Sequence, residues 1–219
     1  DLDKYTPGDS VHFNLIIDSN QSYANDFKII TNINLEEHFI DDFLDEEPYD
    51  QLEMGTYMSD GTFLSVDSTE ISLSDFEGNY IFISYIFTRC PMPNMCPAVL
   101  VKNQYLSEKL IDKNIQFINI SFDYIYDTPS ILKNKYKKLI SRFNNMTFLS
   151  SYGSLSDLNV ISKETGISFW GIKENDIGHT MRSVLISPEG KLLSAYEGVD
   201  WIAKDVEKNI LNFLFLNNK

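Results

Sequence analysis

The chain reads as an α/β protein in which a mixed central sheet is flanked by helices, and three observations predict it. Two near-continuous runs of β-branched and aromatic residues, YIFISYIFT (Tyr80 to Thr88) and IQFINISF (Ile115 to Phe122), suit strands buried on both faces. Each is followed by a segment with helical apolar spacing and a proline in its first turn, Pro97 in one and Pro129 in the other. Near the carboxyl terminus RSVLISPEGKLLSAYEG reads as a hairpin, which adds antiparallel strands to a parallel centre.

The regular pattern begins near Pro48, so residues 48–219 are assigned to one domain. A chain of 219 residues, 43% hydrophobic with twelve Tyr and fifteen Phe, can bury a core without staples. Ahead of it, residues 1–31 form a hairpin segment: VHFNLII alternates like a strand, DSNQS is a turn cluster and YANDFKII returns. Residues 32–47 read as an acidic linker, because the stretch from Asn32 to Asp50, NINLEEHFIDDFLDEEPYD, carries eight carboxylates and no sustained helical stripe. The opening, DLDKYTPGDS, has neither a Met nor an apolar leader and reads as a processed or truncated start.

Within the domain, GTFLSVDSTEISLSDFEGN suggests a short hairpin around Ser65 to Glu70 and then a turn. Tyr80 to Thr88 is the first central strand. NMCPAVLVKNQYLSEKLIDKN is a helix with Asn94 placed to cap it, and apolar Val99, Leu100, Leu106, Leu110 and Ile111 mark one face. After the second central strand, DTPSILKNKYKKLISRF is a helix capped by Asp127 or Thr128. MTFLS is a strand, SLSDLNVISKETG a helix, FWGIKENDIGHT a loop, and WIAKDVEKNILNFLFL the closing helix.

A net charge of −14 excludes a nucleic-acid partner, which needs clustered Lys and Arg, and favours cations. No run is long enough to span a membrane. The two cysteines, Cys90 and Cys96, lie in TRCPMPNMCP at the carboxyl end of the first central strand, where ligands of open α/β sheets bind. One thiol stands at a strand end and the other in the first turn of a helix. That setting favours thiolates, with Arg89 adding positive charge. Thiolates serve both dithiol redox chemistry and soft-metal binding. Five residues separate the pair, two of them proline, a wider and stiffer loop than the two-residue gap of dithiol oxidoreductases.

Of the three histidines only His179, in DIGHTMRSVLI, precedes a strand of the same domain and is placed to join the cysteines. His12 and His38 are assigned no role. Met92 and Met95 carry soft thioethers but are read as fillers of irregular apolar gaps. Asp123 is placed as an outer-shell partner of the site.

These residues resemble the SCO/SenC family of thioredoxin-like copper proteins: FTRCP with a second CP after it, ISFDYIYDTPSIL, and HT leading into VLISPEGKLL. The likeness runs from about Pro48 to the carboxyl terminus. It implies a thioredoxin-like fold and a copper ion, Cu(I) or Cu(II), held by Cys90, Cys96 and His179. It also implies a metallochaperone that serves a cytochrome c oxidase copper subunit or another periplasmic copper protein. The alternative use of the same pair is thiol-disulfide oxidoreduction. The family is extracytoplasmic, typically the bacterial periplasm, and commonly tethered to the inner membrane. Typical members have three residues between the cysteines; this chain has five. The absence of proline from Ser130 to Ser187 removes the cis-proline of thioredoxins and weakens a general reductase reading. Residues 5–30 resemble the last strands of a small periplasmic copper-binding β-barrel, from which no residue is carried over. A peroxidase reading rests only on Thr88 and Arg89 and ranks last.

Overall fold

In the computed structural model the described residues are 9–17, 22–32, 51–173 and 177–216. The chain divides into two units, residues 1–48 and 49–219. In the first, β1 (Asp9–Ile17) and β2 (Ser22–Asn32) form an antiparallel ribbon with Phe13 stacked on Phe27, and its register is interrupted between His12 and Asn14. Asp26, in the left-handed region at φ 55°, lies at that interruption. His12 is exposed on β1, whereas His38 and the acidic stretch lie outside the described residues.

The second unit starts with a hairpin of β3 (Thr62–Ser65) and β4 (Glu70–Ser72), followed by a 3₁₀ turn over Leu73–Phe76. Then come β5 (Tyr80–Ile86), α1 (Cys96–Lys109), β6 (Ile115–Ser121), α2 (Pro129–Arg142), β7 (Met146–Ser150) and α3 (Leu155–Thr165). A two-residue ribbon of β8 (Phe169–Trp170) and β9 (Gly178–His179) leads to the hairpin β10 (Arg182–Ile186) and β11 (Leu192–Glu197), and α4 (Ala203–Leu216) closes the unit. The sheet runs β11-β10-β5-β6-β7-β3-β4, with β5, β6 and β7 parallel and the outer strands antiparallel. This is the mixed sheet predicted from the two apolar runs, and every residue of β5 is buried.

The helices divide between the faces as the side chains of β5 require. Tyr80, Phe82 and Ser84 face α1, α2 and α4. The Tyr80 hydroxyl donates to the Phe213 carbonyl of α4 (3.0 Å), and Asn103 of α1 donates to Ser84 (3.0 Å) and to Asn119 of β6 (2.9 Å). Phe148, beside Asn119 in register, stacks on Tyr136 of α2 at 4.5 Å. On the opposite face Tyr85 shares a hydrogen bond with Thr165 of α3 (2.8 Å), and burial raises its phenol well above the usual range. Both β5-α1-β6 and β6-α2-β7 therefore carry their helices on one face, as right-handed crossovers stepping in one direction must. The helix α3 ends at Gly166, whose φ of 73° is the left-handed cap that glycine supplies at least cost. Lys102 ties α1 to the segment before α4, donating to the Trp201 carbonyl at 2.7 Å and lying over its ring.

This topology brings the carboxyl ends of β5, β6 and β7 to one edge of the sheet. Cys90, Asp123 and Asp127 all lie in the loops that leave this edge.

A candidate metal centre at the ends of the parallel strands

Beyond Ile86 the chain leaves the sheet through Phe87, Thr88 and Arg89, and each of these side chains has a defined partner. The backbone N–H of Thr88 donates to the Asp127 carboxylate at 2.8 Å, and its hydroxyl donates to the same group. Ser121, at the end of β6, donates to Asp127 at 2.6 Å, and Ser150, at the end of β7, donates to its carbonyl. One aspartate thus knits three strand ends together. Of the two cap candidates, Asp127 and Thr128, it is Thr128 that occupies the cap position of α2, without a side-chain cap bond, while the Asp127 carboxylate turns back to the strands. Burial raises the Asp127 carboxyl, and the hydrogen bonds from Ser121 and Thr88 oppose that rise.

Arg89 is engaged in the same way. Its guanidinium donates to the fully buried Asp123 at 2.7 and 2.9 Å and lies over the Tyr126 ring at 4.6 Å. The sequence reading gave its charge to Cys90. The structure places Arg89 against Asp123, because a buried carboxylate without a cation would be costly. Thr88 and Arg89, the two residues that suggest a peroxidase, act here as clamps on the cysteine loop.

Cys90 is half-buried; its N–H reaches the Phe87 carbonyl at 3.5 Å and its thiol that of Met92 at 3.7 Å. Cys96 is the first residue of α1, as expected, and only 2% exposed. Asn94 does not cap this helix: the cap position is Met95, whose carbonyl accepts from the Val99 N–H at 3.0 Å. Both cysteines are free thiols. Burial pushes the Cys96 thiol up to about 12, against the pull of backbone hydrogen bonds from Phe87 and from Cys96 itself, and Cys90 pushes it in the same direction as burial. The helix start was expected to lower this thiol. Desolvation outweighs it, so a metal binding here must displace the proton of a buried thiol.

His179 pairs with Phe169 across the β8/β9 ribbon, a feature the sequence presented only as a loop. Its imidazole lies against Phe122 (centroids 4.8 Å apart) and edge-on to Phe87 (5.5 Å); these two rings are 5.1 Å apart, and Phe122 also stacks on Phe169 at 5.6 Å. Phe87 and Phe122 are the first residues past β5 and β6, so the strand ends supply the platform for the histidine. Nδ1 lies 2.8 Å from the Thr180 carbonyl, which only accepts; the N–H is therefore on Nδ1, and Nε2 keeps its lone pair. Burial lowers the imidazole, opposed by that hydrogen bond, so the neutral form is favoured. Gly178 lets the Trp170 indole pack directly against the ribbon, since a Cβ there would overlap the ring and force it to shift.

Phe87 is therefore shared: its carbonyl accepts from the Cys90 N–H and its ring touches His179. A cluster of three or more His, Cys, Asp or Glu side chains already in metal-holding geometry does not occur among the described residues. By its chemistry the donor set nonetheless fits copper: two free thiols in one loop, and a neutral imidazole fixed through Nδ1 as ligating histidines commonly are.

An α/β domain of thioredoxin-like fold, with a dithiol loop at its strand ends and an oriented histidine beside it, is the class of protein this describes. The SCO1/SenC family model matches residues 50–213, and the chain belongs to that family. A SCO1 protein homolog from Bacillus subtilis is 29% identical over 150 residues, covering 64% of this chain and 72% of its own length. Among solved structures, Arabidopsis thaliana ScoI with copper bound superposes with a TM-score of 0.58 at 19% identity, over 73% of this chain and 99% of that one. BsSco, described as a member of the Sco family of cytochrome c oxidase assembly proteins with a disulfide switch, superposes with a TM-score of 0.59 at 24% identity, over 74% and 95%. At these identities the structural likeness is one of fold.

Proposed function

We propose that this protein is a copper metallochaperone in which Cys90 and Cys96 are thiolate ligands and His179 is the imidazole ligand. The observation that carries the reading is that Phe87 joins the two halves of the site: its carbonyl accepts from the Cys90 N–H, and its ring packs on an imidazole whose Nδ1–H is committed to Thr180. Thiolate softness favours Cu(I), and the imidazole extends the site to Cu(II). Membership of the family and the copper-bound ScoI relative support copper as the cargo. We place the protein outside the cytoplasm and assign as recipient a cytochrome oxidase copper subunit or another periplasmic copper protein, on the strength of the family alone. Among the described residues no helix is long and apolar enough to cross a membrane.

Competition with a chromogenic Cu(I) chelator tests the reading. Wild type should strip copper from the chelator and Cys90→Ser/Cys96→Ser should not; equal, poor competition by both sinks it. Thiol-disulfide oxidoreduction by the same pair of free thiols is the second reading. His179→Ala separates the two, since it should weaken copper binding far more than dithiol exchange.

A further inference from the structure

The cysteine loop carries a second kind of sulfur, in Met92 and Met95. A gap-filling methionine should be buried. Met95 is half-buried at the cap of α1, but Met92 is 47% exposed and fills no gap. Its position is nevertheless fixed. The Met92 carbonyl receives both the Cys90 thiol (3.7 Å) and the Met95 N–H (3.2 Å), which ties it to the loop from either side. Pro91 and Pro93 flank it: each ring fixes its own φ, and Pro93 restricts the backbone of Met92 as well.

Access to the thiols is unequal. Cys96 is 2% exposed and Cys90 is half-buried, while His179 is held on the Phe87 and Phe122 rings. Of the four sulfur-bearing residues of the loop, Met92 is thus the most exposed. Resting on the copper reading above, we infer that Met92 is a copper ligand during loading: it takes Cu(I) at the mouth of the loop and passes it to Cys90 and Cys96. The thioether is a neutral donor and the metal stays Cu(I). One Cu–S(thioether) bond forms first as a bond from Cu(I) to its delivering ligand breaks, and Cu–thiolate bonds then form as the remaining delivering ligands leave and the thiol protons pass to solvent. The thioether keeps the third position until the imidazole takes it.

Met92→Leu keeps size and apolarity and removes only the donor. In stopped-flow mixing with a Cu(I)–chelator complex, this variant should load about tenfold more slowly than wild type. In a His179→Ala background it should lower Cu(I) affinity by about tenfold, the scale of a lost supporting contact at a metal site. With ¹³C-methyl methionine, one equivalent of Cu(I) should shift the Met92 signal more than that of Met95. If wild type binds Cu(I) but Met92→Leu matches its parent in loading rate and in affinity, with the Met92 methyl unmoved, the inference is overturned and the copper reading stands. If wild type does not compete with the chelator, both fall together.

Discussion

The imidazole of His179 rests on the ring of Phe122, with centroids 4.8 Å apart, and these two residues reach each other from different parts of the unit. Phe122 is the first residue past β6, and His179 ends a ribbon more than fifty positions later. The contact sets both the placement of the histidine and its proton affinity.

Burial against that platform lowers the imidazole below its ordinary 6.5. The unfolded chain therefore takes up a proton at a pH where the folded one resists it, and stability falls as the pH drops below about 6.5. An NMR titration of the His179 ring should give a midpoint below that value. Phe122→Ala should move it upward while costing about 3 kcal/mol for the vacated core volume. A wild-type midpoint at or above 6.5 would contradict the burial argument.

Asp127 accepts from Thr88, through both its N–H and its hydroxyl, and from Ser121. An asparagine offers one acceptor oxygen and two donors, so Asp127→Asn strands groups that are buried. The expected loss is about 2 kcal/mol, read by urea denaturation. Alkylation of Cys90 should accelerate in the same variant because its loop is no longer tethered. Unchanged stability and unchanged alkylation together would dismiss the knitting role.

The two thiols should differ in reactivity. In the reduced, metal-free protein iodoacetamide should label Cys90 readily and Cys96 only on unfolding, because the thiolate is the nucleophile and burial holds the Cys96 thiol up to about 12. The unfolded thiol ionises near 9.0, so between about 9 and about 12 the folded state holds the extra proton and stability falls with rising pH. The slope should be shallower in Cys96→Ala than in wild type. Equal labelling of both cysteines in the native protein would refute the assignment.

Gly178→Ala places a methyl group where the Trp170 indole lies. Trp170 is half exposed, so its ring can swing aside and the folding cost should stay within about 1 kcal/mol. The ribbon that carries His179 loses its packing, however, so tryptophan emission should shift and Cu(II) affinity should fall. Emission and affinity identical to wild type would show that the ribbon does not depend on this contact.

Much of the fold was legible because its signals are local. The buried runs that became β5 and β6, the prolines opening α1 and α2, and the SPEG turn between β10 and β11 act within a few residues. Cys90 and Cys96 were legible as a pair from their place at a strand end. What the sequence hid depends on partners far along the chain. Asp127 looks like a helix cap until Thr88, 39 positions earlier, is seen to donate to it, and Arg89 looks free until Asp123 is found 34 positions on. The β8/β9 ribbon is two residues a side, too short for any alternating pattern. Phe87 and Phe122 carry no signal separating them from ordinary core; their role appears only when the histidine lies upon them.

The three strand ends held by Asp127 also set the timescale on which the cysteine loop can move. Loops commonly exchange their amide hydrogens by small local openings, independently of the sheet they leave. The Thr88 amide, two residues before Cys90, is closed by a carboxylate that Ser121 also holds. Its proton is held by the same carboxylate that ties down the end of β6, so its exchange should be slower than that of an untethered loop amide. The stem of the cysteine loop is thereby coupled to the sheet edge, and Asp127→Asn should speed Thr88 amide exchange relative to wild type.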